Sequence, residues 1–322
     1  MTMKLHHLAG AFYKRAVEGT PRQPELPAWS IAVYIADFLV FLPLILWTTY
    51  TLHQVYPIFA IVEDENPPAY DPSVTGGRPT TVTSSIRSIN RLLKTHGGWR
   101  ANFRGFSVYL AQGIATTALL GIFSAFLPDI LASLATLPAA LALVQLSTAW
   151  VHIIITPRSS QHFWQRLPPF KRTFDATARP VATYWLAEQV ATWFGKPNST
   201  VPQPQASDAW KSVIVTLISI VFQVIVVIPA HVVLVRVQAS LLPEEANTII
   251  PFDRSFEGKV EPRVVGGKGY ATMDDAWSGF SRAAWKRLVI LYVKIFAVTF
   301  AAFFLMAAII IPEIVLISAF AK

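Results

Sequence analysis

Apolar residues in this chain fall in long blocks, broken by polar segments rather than alternating with them. Five blocks, Ile31–Val55, Phe106–Leu127, Ile130–Ile155, Trp210–Leu242 and Leu288–Phe320, are each long enough to cross a bilayer. A helix needs about 20 residues for a hydrocarbon core about 30 Å thick. A sixth block, Thr177–Phe194, has the length but carries Arg179, Glu188 and Gln189. The pattern predicts an all-α membrane protein, and the distribution of charge decides between five and six spans.

Three larger polar stretches, 57–104, 156–172 and 243–287, hold 17 of the 27 Lys and Arg residues. With six crossings all three share one face of the membrane, and that face is the basic one. Five crossings would split them. Basic loops collect on the side that is not translocated, so the charge asymmetry favours six. Residues 1–30 form a polar leader without a cleavable signal pattern. Within the first loop, 62–80 is acidic and then rich in Pro, Gly and Thr, which reads as an exposed loop. Ser84–Thr95 follows with Ile86, Ile89, Leu92 and Leu93 at helical spacing opposite Arg87, Arg91 and Lys94. That is the pattern of a helix lying along the membrane surface. Met273–Ala284 repeats it more weakly.

Three odd-numbered spans carry an internal proline, Pro43, Pro138 and Pro229, at separations of 95 and 91 residues. Proline removes an N–H and crowds the preceding turn, so each is a candidate kink. The even spans are entered through Phe103-Arg104-Gly105, Phe170-Lys171-Arg172 and Trp285-Lys286-Arg287. Eight residues beyond the first basic residue of each stand Gln112, Arg179 and Lys294. Polar groups inside apolar helices face a cavity or partner, or snorkel to the interface. The repeats divide the chain at 31–127 (spans 31–55 and 106–127, surface helix 84–95), 128–196 (spans 130–155 and 177–194) and 197–322 (spans 210–242 and 288–320).

Three repeats of kinked helix, surface helix and straight helix resemble the mitochondrial carrier family. Ile89–Phe106 (INRLLKTHGGWRANFRGF) is similar to the family's approach to an even helix. Pro229–Gln238 (PAHVVLVRVQ) matches its signature at Pro229, Arg236 and Gln238. The resemblance implies a six-helix bundle in three pseudo-repeats, with Gln112, Arg179 and Lys294 as substrate contacts, two cations that would favour a small anionic solute. The signature's gate charges are absent, their places taken by Ile45, Thr48, Ala140, Leu143, His231 and Leu234. A charge network cannot be rebuilt from such side chains. That loss is similar to what outer-membrane carrier homologues show, so membrane insertion or a scaffold role without transport stands beside anion transport. The second loop is the shortest, which leaves no room for a second surface helix. A mitochondrial membrane, inner or outer, fits better than a secretory one.

Composition agrees: 53% hydrophobic and 14% charged residues, with a mean hydropathy of +0.45, against about a quarter charged in soluble domains. The net charge of +8 belongs to basic loops beside anionic lipid rather than to nucleic-acid binding, since no known nucleic-acid module is present. There is no cysteine, which excludes disulfides and thiolate metal sites. Pro67-Pro68-Ala69-Tyr70 is a PPxY sequence, the preformed polyproline ligand of WW domains. It offers an alternative function, a membrane adaptor for a WW-domain ubiquitin ligase. Asn198-Ser199-Thr200 is a glycosylation acceptor close to a span, and Gly266-Gly267-Lys268-Gly269 reads as a turn. His152 and His231 lack second metal ligands. No catalytic motif, cofactor site or metal site is expected, and the chain reads as a non-enzyme.

Overall fold

The computed structural model describes residues 27, 29–64, 81–195, 209–261 and 265–320, and among these every regular element is a helix. In chain order they are α1 (Ser30–Leu46), a π-helical stretch (Trp47–Val55), α2 (Tyr56–Val62), α3 (Ile86–Thr95), α4 (Phe106–Ser124), α5 (Thr136–Ala142), α6 (Val144–Ile155), α7 (Phe170–Gly195), α8 (Ala209–Phe222), a π turn (Gln223–Val227), α9 (Ile228–Ser240), α10 (Met273–Ser278) and α11 (Arg282–Ala319). Four of the resulting rods are long and apolar enough to cross a membrane: Ser30–Val62, Trp99–Ser124, Val213–Ser240 and Arg282–Ala319. A fifth qualifies if Ser133–Ala142 and Val144–Ile155, bent by 64°, count as one broken span. The 26 residues of α7 reach about 39 Å at 1.5 Å per residue. Its many polar residues, Arg179, Glu188, Gln189 and several threonines among them, make it less apolar than that set.

Most boundaries follow from local chemistry. Ser85 caps α3 by accepting from the Arg87 N–H, and Thr272 and Asp275 form a reciprocal capping box on α10, each satisfying amides that a helix start leaves unpaired. The surface helix expected over 84–95 is therefore observed from Ile86. The second runs only to Ser278, because Gly279 ends it and a new helix begins at Arg282. The loop 156–169 holds only a 3-10 turn, Phe163–Arg166.

Two prolines sit where a helix returns from π to α geometry. Pro57 follows the stretch 47–55, and Pro229 follows the turn 223–227. A proline leaves the carbonyl one turn earlier without its donor, and a wider turn accommodates the ring. Pro43 lies inside α1, upstream of the distorted stretch. Pro138 lies inside α5, and the break in that span comes at Leu143, with φ −101° and ψ 16°. The near-constant proline spacing in the sequence pairs Pro229 with Pro43, whereas the helix geometry pairs it with Pro57.

Contacts divide the chain into two units, one comprising residues 1–45 and 299–322 and the other Leu46–Val298. In the first, Trp29 meets Phe320 edge-on at 6.2 Å. In the second, the core gathers α2, the end of α6 and α9 around Tyr56, Phe59, Ile154, Val232 and Val235. Ile89 and Leu93, the apolar face of α3, are fully buried against that core.

Candidate functional site

Both α2 and α9 run into basic loops, and there the second unit carries a dense set of buried polar side chains. Glu63, the residue that closes α2, is 2% exposed. Its carboxylate accepts from the Val82 N–H at 2.6 Å, the Thr83 N–H at 3.1 Å and the Thr83 hydroxyl. Arg287, in the first turns of α11, stands 3.8 Å from that carboxylate and donates to the Glu63 carbonyl at 3.1 Å. One acid thus binds the far side of the segment 65–80 and the start of the last helix together.

Asp64 makes the next tie. Its carboxylate lies 3.8 Å from Arg236 of α9 and accepts from the Asp253 N–H, and its own N–H donates to the Pro251 carbonyl at 3.0 Å. Burial raises the Asp64 carboxyl above its ordinary range, opposed by the Asp253 amide and Arg236. Arg236 also donates to the Ile61 and Gly279 carbonyls, at 3.3 and 3.1 Å. Its guanidinium lies over the rings of Phe256 and Phe280, at 5.0 and 5.6 Å. Desolvated cation–ring contacts of this kind contribute about 1–2 kcal/mol each. Phe256 and Glu257 take left-handed backbone, with φ 50° and 61°, a conformation that strains a side chain-bearing residue. Asp253 holds the turn by accepting from the Ser255 N–H at 2.9 Å, the Ser255 hydroxyl at 2.7 Å and the Glu257 N–H at 2.8 Å.

A second set of ties runs through α6. His152 Nε2 meets the Gln238 carbonyl at 2.8 Å, and the Gln238 amide donates to Ser147 at 3.1 Å. Trp150 donates to the Tyr50 hydroxyl at 3.1 Å, which donates to the Arg104 carbonyl. Arg104 reaches the Thr156 carbonyl. Thr51 donates to the Asn102 carbonyl at 2.9 Å. Arg236 and Gln238 are therefore both buried among these ties.

Beside these ties lies a cavity of about 910 Å³, between the loop 156–169, the ends of α6 and α9, and the loop 241–269. Loops one and three cover their parts of this face with α3 and α10; loop two has no such helix. His152 and Ser240 lie at its inner wall. Three arginines from three segments line it. Arg166 donates to the Thr156 hydroxyl at 2.6 Å, Arg172 to the Gly269 carbonyl at 2.6 Å, and Arg254 to the Pro243 carbonyl at 2.5 Å. All three act electrostatically on His152. Burial holds the Arg166 and Arg254 guanidiniums below their usual range, and Glu244 and Glu245 offset this at Arg254. Among the described residues no group of three or more His, Asp or Glu side chains is arranged to hold a metal.

Gln112 is half-buried on α4, and Arg179 and Lys294 are exposed on α7 and α11. The cavity includes none of the three. Lys294 donates to the Ser84 carbonyl at 3.0 Å, just before α3, so its ammonium reaches along α11 to the surface helix. Pro67, Pro68 and Tyr70 lie outside the described residues, as do Asn198, Ser199 and Thr200. Glu63 and Asp64 carry no sequence signal as site residues because they sit just past an apolar block, and Arg287 stands out only as part of the aromatic-basic entry to the last span. Asp37 and Glu313 are further acids inside apolar blocks, and their carboxyls act on one another in the first unit. Their signal was the same as that of Arg179, an ionisable group in an otherwise apolar run.

Comparison with protein-family models, curated proteins and solved structures found no match.

Proposed function

We propose that this chain is a six-span, carrier-like membrane protein that works as a static scaffold and does not move solutes. The observation that carries the reading is the paired seal, Glu63 with Arg287 and Asp64 with Arg236. In the resembled family, gate charges face one another between helices and separate during transport. Here each charge is also tied to loop backbone, Glu63 to Val82 and Thr83, Asp64 to Asp253, Arg236 to Gly279. Opening the bundle on this side would break buried ion pairs and loop hydrogen bonds together. Removing one partner of a buried pair costs about 3–5 kcal/mol, and two pairs make a barrier unsuited to cycling. Anion transport through Gln112, Arg179 and Lys294 is the less favoured form of the same carrier-like reading.

The experiment is reconstitution of the full chain into vesicles, with uptake of phosphate, sulfate and dicarboxylates measured against protein-free vesicles. Thr148→Cys, at a fully buried position in a chain without native cysteine, reports opening through a charged thiol reagent. No uptake and no labelling are expected. Uptake together with labelling of Thr148→Cys sinks the scaffold reading. Thiol labelling of Ser160→Cys and Gln205→Cys from opposite sides tests whether α7 crosses the membrane.

One observation favours a second reading. Glu63 binds Val82 and Thr83, so the residues flanking segment 65–80 are held to one another. Pro67, Pro68 and Tyr70 lie within that segment, as a membrane-held ligand for a WW-domain ligase would require. Tyr70→Ala should abolish pull-down of a WW domain, and the segment should be cut by cytosolic protease in intact organelles.

A further inference from the structure

The cavity beside the seal calls for an occupant that the scaffold reading does not supply. Its volume of about 910 Å³ falls within the range of small-molecule sites. Arg166 and Arg172 reach it from separate segments, and neither has a carboxylate partner within ion-pair distance among the described residues. Arg254 differs, because both its terminal nitrogens bond carbonyls of the loop 243–246 and two acids stand nearby. It braces the wall, while the other two guanidiniums supply unbalanced charge. Arg172 adds a more specific sign. Its Nη2 is committed to Gly269, but its Nε is buried and has no hydrogen-bond partner among the described residues. A buried guanidinium donor left unmatched is costly, so the side chain would gain by turning its Nε toward an oxyanion in the cavity.

Arg172 stands in the first turn of α7, where Pro169 accepts from the Thr173 N–H, so the amides of residues 170–172 have no partner in an earlier turn. Pro168, Pro169 and Arg172, at the start of this 26-residue helix, line the same space, so the positive helix end lies beside it. Pro157, Pro168 and Pro243 stiffen the walls. Glu244 and Glu245 also line the cavity, where they offset the charge of Arg254 and leave Arg166 and Arg172 as the pair that would hold an anion. The geometry points to a binding site for a phosphoryl group, held between Arg166 and Arg172 at the start of α7, on a small polar molecule or on a lipid headgroup.

Binding of pyrophosphate to the purified full chain in detergent, followed by thermal shift, tests the site. Short-chain phosphatidic acid micelles form the lipid arm. Pyrophosphate should raise the melting temperature in a saturable way. The Arg166→Gln/Arg172→Gln variant should weaken binding about tenfold or more, since a charge-assisted hydrogen bond is lost at each position. Both arginines also brace the fold, so Asn247→Asp serves as the second variant. Asn247 is exposed on the cavity wall, and an added carboxylate there should weaken pyrophosphate binding several-fold while leaving the unliganded melting temperature unchanged. Arg87→Gln/Lys94→Gln, on the outer face of α3, should leave binding intact. Stabilisation by phosphatidic acid alone, lost in the same variants, assigns the site to a headgroup. No stabilisation by either probe, or equal stabilisation of wild type and Asn247→Asp, overturns the inference.

Discussion

Glu63 and Arg287 stand 224 residues apart in sequence, yet Arg287 donates to the Glu63 carbonyl at 3.1 Å while its Nε lies 3.8 Å from the Glu63 carboxylate. The pair joins the end of the first long helix to the start of the last. Both side chains are buried, at 2% and 8% exposure, so neither charge is screened by water as a surface pair would be.

Arg287→Met leaves Glu63 charged and buried with only the Val82 and Thr83 donors. The variant should lose about 3–5 kcal/mol, as when one member of a buried pair is removed, read as a lowered melting temperature in detergent. Glu63→Gln/Arg287→Met should recover part of that loss. A double variant no better than the single one would show that the ion pair is not what the single variant breaks.

Gly105 begins α4 with φ 71°, and a Cβ there would fall 2.9 Å from the Trp150 ring and 3.4 Å from the Tyr50 hydroxyl. Gly105→Ala therefore combines left-handed backbone strain with a clash against packed aromatics. A loss of about 2–4 kcal/mol is expected, and with it the Trp150–Tyr50 hydrogen bond, visible as a change in tryptophan fluorescence. Gly98, also left-handed but with open space around its Cβ, is the control: alanine there should cost only the strain of about 1–2 kcal/mol.

The turn 253–258 gives a pH prediction. Burial works to raise the Asp253 carboxyl, but the donors Ser255 and Glu257 outweigh it and hold the group below its ordinary value of 3.8. A depressed carboxylate stabilises the fold fully above its unfolded pKa, and that contribution is lost as pH falls through the lower folded value. Stability should accordingly drop below about pH 4. Asp253→Asn should be less stable at neutral pH and flatter through that acid range. Asp64, raised by burial, acts in the opposite sense, so Asp64→Asn should steepen the acid loss.

Lys294 is predicted to hold α3 in place through the Ser84 carbonyl. Lys294→Met should speed hydrogen exchange at the amides of residues 86–89 about several-fold while leaving α11 protected. An unchanged pattern would show that the Ser84 contact does not hold α3.

Much of the helical layout was legible in the sequence, because lipid demands long apolar runs and helices close their own backbone hydrogen bonds. The surface helix at 86–95 was legible for a similar reason: its apolar face, Ile89 and Leu93, repeats at helical spacing. The π stretch before Pro57 was less so, since proline is common in membrane helices and spacing alone favoured Pro43. The polar trio shows the limit of counting along helices. Gln112, Arg179 and Lys294 share a register in their repeats, but register does not say what each side chain can reach, and Lys294 reaches a loop carbonyl.

The sequence by itself determined that the chain is built from membrane-length helices joined by basic loops, because those properties depend on runs of neighbouring residues. Only the tertiary structure decided which acids meet which bases, and that the short second loop leaves a cavity lined by Arg166, Arg172 and Arg254. Charge pairing falls off within a few ångströms in space and takes no account of separation along the chain. Glu63 and Arg287 could be matched only once the helices between them were placed.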